Sequence, residues 1–392
     1  MADRSFREAT SRERPHQSAA DRVLASALVP FLVELSPEQR LRLVRTDPRY
    51  RSWALAESLI EESQHAIWSG QPERCEDSAE IAVLVTEHLS ESTLGRSALN
   101  DVKARAQGCL GNALRTRADF TGAERCFAEA RLLLGQGSGD PLESAWLTGL
   151  EASLLTARGY LDEAIDLLKT VLPVYDALNE PELRARSEIQ MAQALAHGSR
   201  DSEAIALLTR AEQVIDRGAE PRLFLFARHS RAVALCHAGR THEALLLLDS
   251  SRDLYLQFPD PWSQLRLRWL EARIAAGLGR TQEAEAMLGR LWTAAFERGL
   301  RFEVALISLD LAAIYIQLGR YLEAGQLAGR LISLFESWGV HRRAIQAWVI
   351  LEHALIAETA TVELVRQIAA YVRRGWRNPE IPLPKESPAP VR

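Results

Sequence analysis

Apolar residues fall three and four apart along most of the chain, most clearly from Ser308 to Leu334, SLDLAAIYIQLGRYLEAGQLAGRLISL. Leu309, Ala312, Ala313 and Ile316 share one helical stripe, Gly319 interrupts it, and Leu322, Leu327, Leu331 and Leu334 form a second. The spacing predicts a helical hairpin. Ala312 and Ala324 mark the place where its two helices cross closely, since larger side chains would hold the backbones apart.

The hairpin pattern repeats. Gly-x-x-x-x-Ala recurs as Gly159…Ala164, Gly239…Ala244, Gly279…Ala284 and Gly319…Ala324, with Ser199…Ala204 filling the vacant place, in steps of 40 residues. Ala118…Ala123 and Gly70…Cys75 extend the series backwards. Leu364 extends it forwards, with Ile368 and Tyr371 at the packing offsets, which makes about eight units. Such self-similarity predicts a solenoid in which each hairpin buries its apolar face only against its neighbours.

The unit QGCLGNALRTRADFTGAERCFAEARLLL, with Leu110, Gly111, Leu114, Ala123, Phe127 and Ala130, resembles a tetratricopeptide repeat. Ala152/Leu155/Ala164/Leu168, Ala192/Leu195/Ala204/Leu208, Ala232/Leu235/Ala244/Leu248 and Ala312/Tyr315/Ala324 resemble it less fully, and the family's Trp survives only as Trp348. The usual period is about 34 residues, so about six more lengthen the helices or turns; a HEAT-like stack, with a period of about 40 to 47, is the alternative. The resemblance implies an all-α, right-handed α-α superhelix of about eight hairpins, in a long-period bacterial variant of the family.

The expected organisation is a tail over 1–20, capping helices over 21–50, the repeat array over 51–377 and a Pro-rich tail over 378–392. Ser36-Pro37-x-Gln39 reads as a helix start, with a capping serine and proline at the first helical position. Arg51 to Ser69 and Glu73 to Leu89 form the first hairpin. The long junction from Ser90 to Asn100 is the place for a bend or insertion. Gly135 to Pro141, GQGSGDP, is a turn; no strand precedes it and no Lys-Ser/Thr follows, so it is not a phosphate loop.

Composition narrows the function classes. A net charge of −5 argues against a general nucleic-acid binder. The basic residues are Arg almost throughout, with Lys only at 103, 169 and 385, a bias of the kind a GC-rich genome produces. Cys75, Cys109, Cys126 and Cys236 lack C-x-x-C spacing, which points to buried free thiols in a reducing cytosol. No apolar run of about 18 residues predicts a membrane span, and residues 1–20 carry no signal-peptide core. His229 and His237 stand eight apart, too far for one ion, and no nucleophile elbow or metal spacing occurs. No cofactor, metal or catalytic residue is expected, and the chain is read as non-enzymatic.

The resemblance also implies that helix A of each hairpin lines an inner trough. On this sequence the lining residues are Arg105, Asn112 and Arg115, then Trp146 and Ser153, then Arg186, Gln193 and His197, then Phe226, His229 and His237, and finally Arg266, Trp269 and Arg273. This set holds no Asp or Glu, so it suits an acidic or C-terminal-carboxylate peptide gripped by Arg forks and Trp surfaces. Leu306, Leu309, Ala313, Ile316, Val349 and Ile356 make the far end apolar, as a self-packed terminus or a hydrophobic dock. The reading is a cytoplasmic scaffold or adaptor that binds protein or peptide, without direct nucleic-acid or membrane contact. The alternative is a peptide- or partner-responsive regulator of a separate output protein.

Overall fold

Pro261–Gly277, Thr281–Glu297, Arg301–Gln317 and Tyr321–Ser337 are each 17 residues long, joined by three-residue turns, and together they produce the period of 40. The residues beyond the usual tetratricopeptide length therefore lengthen the helices. Most helix A segments end on a residue in the left-handed region: Ala118, Gly159, Ser199, Gly239, Gly279, Gly319 and Glu358, with φ between 53° and 82°. At Gly239 the amide donates to the Cys236 carbonyl (3.1 Å) and the Arg240 amide to that of Leu235 (2.8 Å), which satisfies the last carbonyls of the helix. The same pair of bonds closes the helix before Gly319. This is why the punctuation was legible in the sequence.

The computed structural model describes residues 19–383, and every regular element among them is helical. In chain order the helices are α1 Ala19–Val33, α2 Pro37–Thr46, α3 Trp53–Trp68, α4 Pro72–Glu87, α5 Glu91–Leu94, α6 Arg96–Thr116 and α7 Phe120–Leu134. Then follow α8 Pro141–Ala157, α9 Leu161–Ala177, α10 Pro181–His197, α11 Asp201–Val214, α12 Pro221–His237, α13 Thr241–Asp249 and α14 Arg252–Gln257. The last six are α15 Pro261–Gly277, α16 Thr281–Glu297, α17 Arg301–Gln317, α18 Tyr321–Ser337, α19 Arg342–Ile356 and α20 Val362–Gly375. The fold is an all-α helical-repeat solenoid of the tetratricopeptide type.

The chain divides into two compact units. Unit 1 holds the residues up to Leu154 together with Glu163–Gln190 and Val214–Glu220; unit 2 holds Leu155–Asp162, Met191–Gln213 and the residues from Pro221 onwards. The small positions of the hairpins are buried in both: Ala152 and Ala164 in unit 1, and Ala192, Ala204, Ala232, Ala244, Ala272, Ala284, Ala312 and Ala324 in unit 2, all at most 1% exposed. A larger side chain at any of these points overpacks the hairpin, at a cost of about 1–3 kcal/mol.

In unit 1 the first helices are pinned by a charge. Arg40 is buried on α2, donates to the Leu32 and Val33 carbonyls at the end of α1, and pairs with Asp77 of α4 at 2.8 Å. Ser36 and Gln39 form the expected capping box. The stretch foreseen as a bend, 90–100, contains the short α5 and then, from Arg96, the start of α6. The 135–141 turn is fixed by the Asp101 carboxylate, which accepts from the Ser138 amide at 3.2 Å.

The final helix departs from the repeat. Its residues Leu364, Ile368 and Tyr371 keep the register, and all are buried, yet α20 packs on α17 as well as on α19. A second helix of a regular hairpin does not lie against helix A of the previous unit. The expected 378–392 tail also behaves differently at its start, because Asn378 and Ile381 are buried in unit 2. Residues 384–392 and the expected tail up to residue 18 lie outside the described residues, and α1 already includes Ala19 and Ala20.

Candidate ligand-binding face

In unit 1 the expected contact residues are engaged by the chain itself. The Arg105 guanidinium is buried, 2.5 Å from Glu57 and 3.6 Å from Glu143, and lies 5.5 Å from the centre of the Trp53 ring. Arg115 donates to Asn112 at 2.9 Å. Trp146 is a packing residue whose ring fills the space above Gly108, where an added Cβ would come within 2.7 Å of it. Arg186 pairs with Glu220 at 3.1 Å. The expectation of a face without carboxylates is corrected here: Glu57 and Glu143 reach Arg105 from helix A of the adjacent hairpins, at positions outside the lining offsets, and Glu220 reaches Arg186 from a junction.

Unit 2 offers a denser cluster. Arg273 pairs with Asp310 at 2.9 Å, stacks over Trp269 at 4.6 Å, and the Trp269 indole N–H donates to the same carboxylate at 2.6 Å. Arg266 is held between the rings of Phe226 (5.1 Å) and Trp262 (5.3 Å). His229 Nδ1 is 2.7 Å from the Tyr255 hydroxyl. Gln193 is half-buried on α10. Asp310 therefore puts a carboxylate on this face too.

Lying against the helix A ends of unit 2 is the chain's own segment from Tyr371 to Leu383. Arg373 Nη2 donates to His237 Nε2 at 3.3 Å, while His237 Nδ1 faces Asp201 at 3.4 Å. Both contacts fit only the neutral ring with its proton on Nδ1, because Nε2 must accept. His341 donates from Nε2 to the Gly375 carbonyl at 2.6 Å. Trp376 meets Phe335 edge-on at 5.1 Å and Phe302 at 6.1 Å. Asn378 donates to the Arg158 carbonyl at 2.7 Å, and the Tyr160 hydroxyl donates to Glu380 at 2.6 Å. Gly159 is doubly required, by its φ of 82° and because an added Cβ would sit 2.5 Å from the Arg374 carbonyl oxygen.

Burial shapes the charges in this cluster. His197 and His237 are each held down at about 4, chiefly by burial, with Arg373 adding to the effect on both and Asp201 opposing it at His237. His229 is brought down to about 3 by burial and by Arg266 and Arg273. Arg373 itself is lowered to about 10 by burial and Arg273, against the pull of Asp310 and Asp201. Buried thiols go the other way: Cys75 and Cys236 are pushed up to about 11, so they remain protonated at neutral pH and poor nucleophiles.

The apolar far end divides. Leu306, Leu309 and Ile316 of α17 are buried in the core that includes α20, whereas Ile356 stays 71% exposed. With Leu322, 75% exposed, Ile356 flanks a groove of about 620 Å³ that also includes Tyr321, Gly325, Gly329 and Leu355 from α18 and α19. Among the described residues, no group of three or more His, Cys, Asp or Glu stands ready to hold a metal ion, and no helix is long and apolar enough to cross a membrane.

No protein-family model and no curated protein matches the chain. Among solved structures, a Rap protein complexed with Competence and Sporulation Factor is similar in fold, with a TM-score of 0.60 and 14% identity over 80% of this chain and 85% of that one. Looser likenesses are aspartyl phosphate phosphatase F from Bacillus subtilis (TM-score 0.49, 12% identity, 92% of this chain and 97% of that one) and a Podospora anserina kinesin light chain fragment with TPR-like repeats (TM-score 0.40, 20% identity, 51% of this chain and 97% of that one).

Proposed function

We propose that the chain is a non-catalytic binder of protein or peptide that works through the helix A face, as an adaptor or as a partner-responsive regulator of a separate output protein. One observation carries this reading: in unit 2 the end of α20 and the turn-rich stretch that follows it already lie against the ends of these helices. Side-chain and backbone bonds hold this segment at Arg158, Tyr160, His237 and His341, and its Trp376 is wedged against Phe302 and Phe335. These are the contacts a peptide ligand makes, with polar bonds fixing direction and a large aromatic anchor supplying surface. The Rap structure, solved with Competence and Sporulation Factor, is a case of this fold holding a partner. Self-occupancy favours the regulator form, because a face closed from within must be opened before it binds. Four free cysteines fit a reducing cytoplasm.

The test is a 12-residue peptide library displayed against the full chain. Selected binders should lose affinity with Trp269→Ala or Arg273→Ala and keep it with Leu322→Ala on the α18/α19 groove. Binders that respond only to Leu322→Ala would overturn the assignment of the face.

A further inference from the structure

The proposed function leaves open what chemistry the helix A face prefers, and the occupant seen on it answers that. We infer that unit 2 carries a site for a peptide bearing arginine and a bulky aromatic, and that the last turn of α20 from Arg373 and the turns that follow it to Leu383 fill it in cis as a tethered stand-in for that ligand. The inference rests on the peptide-binding reading above.

The segment reads Tyr-Val-Arg-Arg-Gly-Trp-Arg-Asn-Pro-Glu-Ile-Pro-Leu. Each feature of it meets a matching feature of the face. Arg373, on the last turn of α20, donates to the neutral His237 ring, with the carboxylates of Asp201 and Asp310 attracting it and the Arg273 cation opposing them. A guanidinium fits such acceptors, and a carboxylate placed there would meet Asp201 and Asp310 as like charges. Trp376 is gripped by two phenyl rings. Beyond it, Arg377 is close enough to stabilise the buried carboxylate of Glu303, which burial holds above the usual range. Asn378 reads a helix-end carbonyl, and Ile381 closes over Gly159, where an added Cβ would meet the Arg374 backbone, whereas at Gly239, Gly279 and Gly319 it would meet nothing within 4 Å. The ligand inferred here is basic and aromatic, where counting arginines along helix A led to an acidic one. The arginines of helix A that seemed to offer the site are themselves neutralised, Arg273 by Asp310 and Arg186 by Glu220.

A tethered occupant has an effective concentration on the order of millimolar, so a free ligand competes only when it binds more tightly or when the tether is loosened. This yields a direct test. A fluorescein-labelled peptide with the sequence of residues 371–383 is titrated by polarisation into the full chain and into an opened variant, Arg373→Glu/Asn378→Ala. A control peptide carries Glu at the three positions matching Arg373, Arg374 and Arg377. Far-UV circular dichroism checks that the variant keeps its helices. The basic peptide should bind the opened variant at least tenfold more tightly than the unaltered chain, and the acidic control should not bind. If the opened variant does not fold, the unaltered chain is incubated with excess basic peptide and hydrogen exchange is read over its own residues 376–383, which should speed up. Preferential binding of the acidic control overturns this inference and leaves peptide binding standing. Binding of neither peptide, or unchanged exchange under saturating peptide, overturns the inference, and the display experiment then decides the broader reading separately.

Discussion

The two units close their helix A faces differently. In unit 1, Arg105 and Arg186 are locked to Glu57, Glu143 and Glu220, so the charges serve to join neighbouring segments. In unit 2, His237 and its neighbours receive a side chain from a segment more than a hundred residues away along the chain. A face closed by ion pairs within the scaffold has no polar group to offer a ligand without breaking a buried pair. A face closed by a segment tethered at one end has only to release it. The difference teaches that residue type on a repeat surface does not separate structural from binding arginines; what faces them does.

Breaking unit 1 should give the largest effect. Arg105→Leu strands the carboxylates of Glu57 and Glu143 in a buried site, and removing one partner of a buried pair costs about 3–5 kcal/mol. Denaturant unfolding should show this loss. Arg273→Leu in unit 2 should cost less, about 1–2 kcal/mol, because Asp310 is partly exposed and keeps its bond from Trp269. Equal losses at the two sites would erase the contrast.

Acid should weaken unit 2 next. His197, His229 and His237 have folded values of about 4, 3 and 4, against an ordinary 6.5. The unfolded chain therefore takes up protons that the folded chain refuses as pH falls below 6.5. Stability drops between about pH 6.5 and 3 and levels off below the folded values. Glu212 and Glu303, raised by burial, work in the opposite sense as they take up protons early in the folded state. Comparing thermal midpoints at pH 7 and pH 5, the triple variant His197→Gln/His229→Gln/His237→Gln should show a smaller drop than the unaltered chain; an equal drop would contradict the assignment.

The smallest effect is expected at the repeated surface pairs. Arg200–Glu203, Arg240–Glu243 and Arg280–Glu283 recur every 40 residues on exposed first turns. Exposed pairs contribute little, so Arg240→Ala should leave the thermal midpoint within experimental scatter.

The hairpins were legible because Gly159, Gly239, Gly279 and Gly319 must be left-handed and the alanines must be small, and both demands are local. The sites were not legible. Glu57, Glu143 and Asp310 lie on helix A of adjacent hairpins at positions outside the lining offsets, and the pairing between hairpins is not visible along one helix. The closing helix kept the repeat register at Leu364, Ile368 and Tyr371, so nothing in its own pattern betrayed that it lies against α17. Asn378 to Leu383 read as tail because of its prolines, although Trp376 between Gly375 and Arg377 offered a signal of an anchored segment.

Hydrogen exchange over residues 376–383, compared between Gly159→Ala and Gly279→Ala, tests the docking of this segment most directly. Both glycines have φ near 80°, so both substitutions carry similar backbone strain, but only at Gly159 does the new Cβ meet the Arg374 carbonyl, with nothing within 4 Å at Gly279. The segment should exchange rapidly in Gly159→Ala and as slowly as in the unaltered chain in Gly279→Ala. Equal exchange in the two variants would contradict the claim that the helix A face of unit 2 holds this segment.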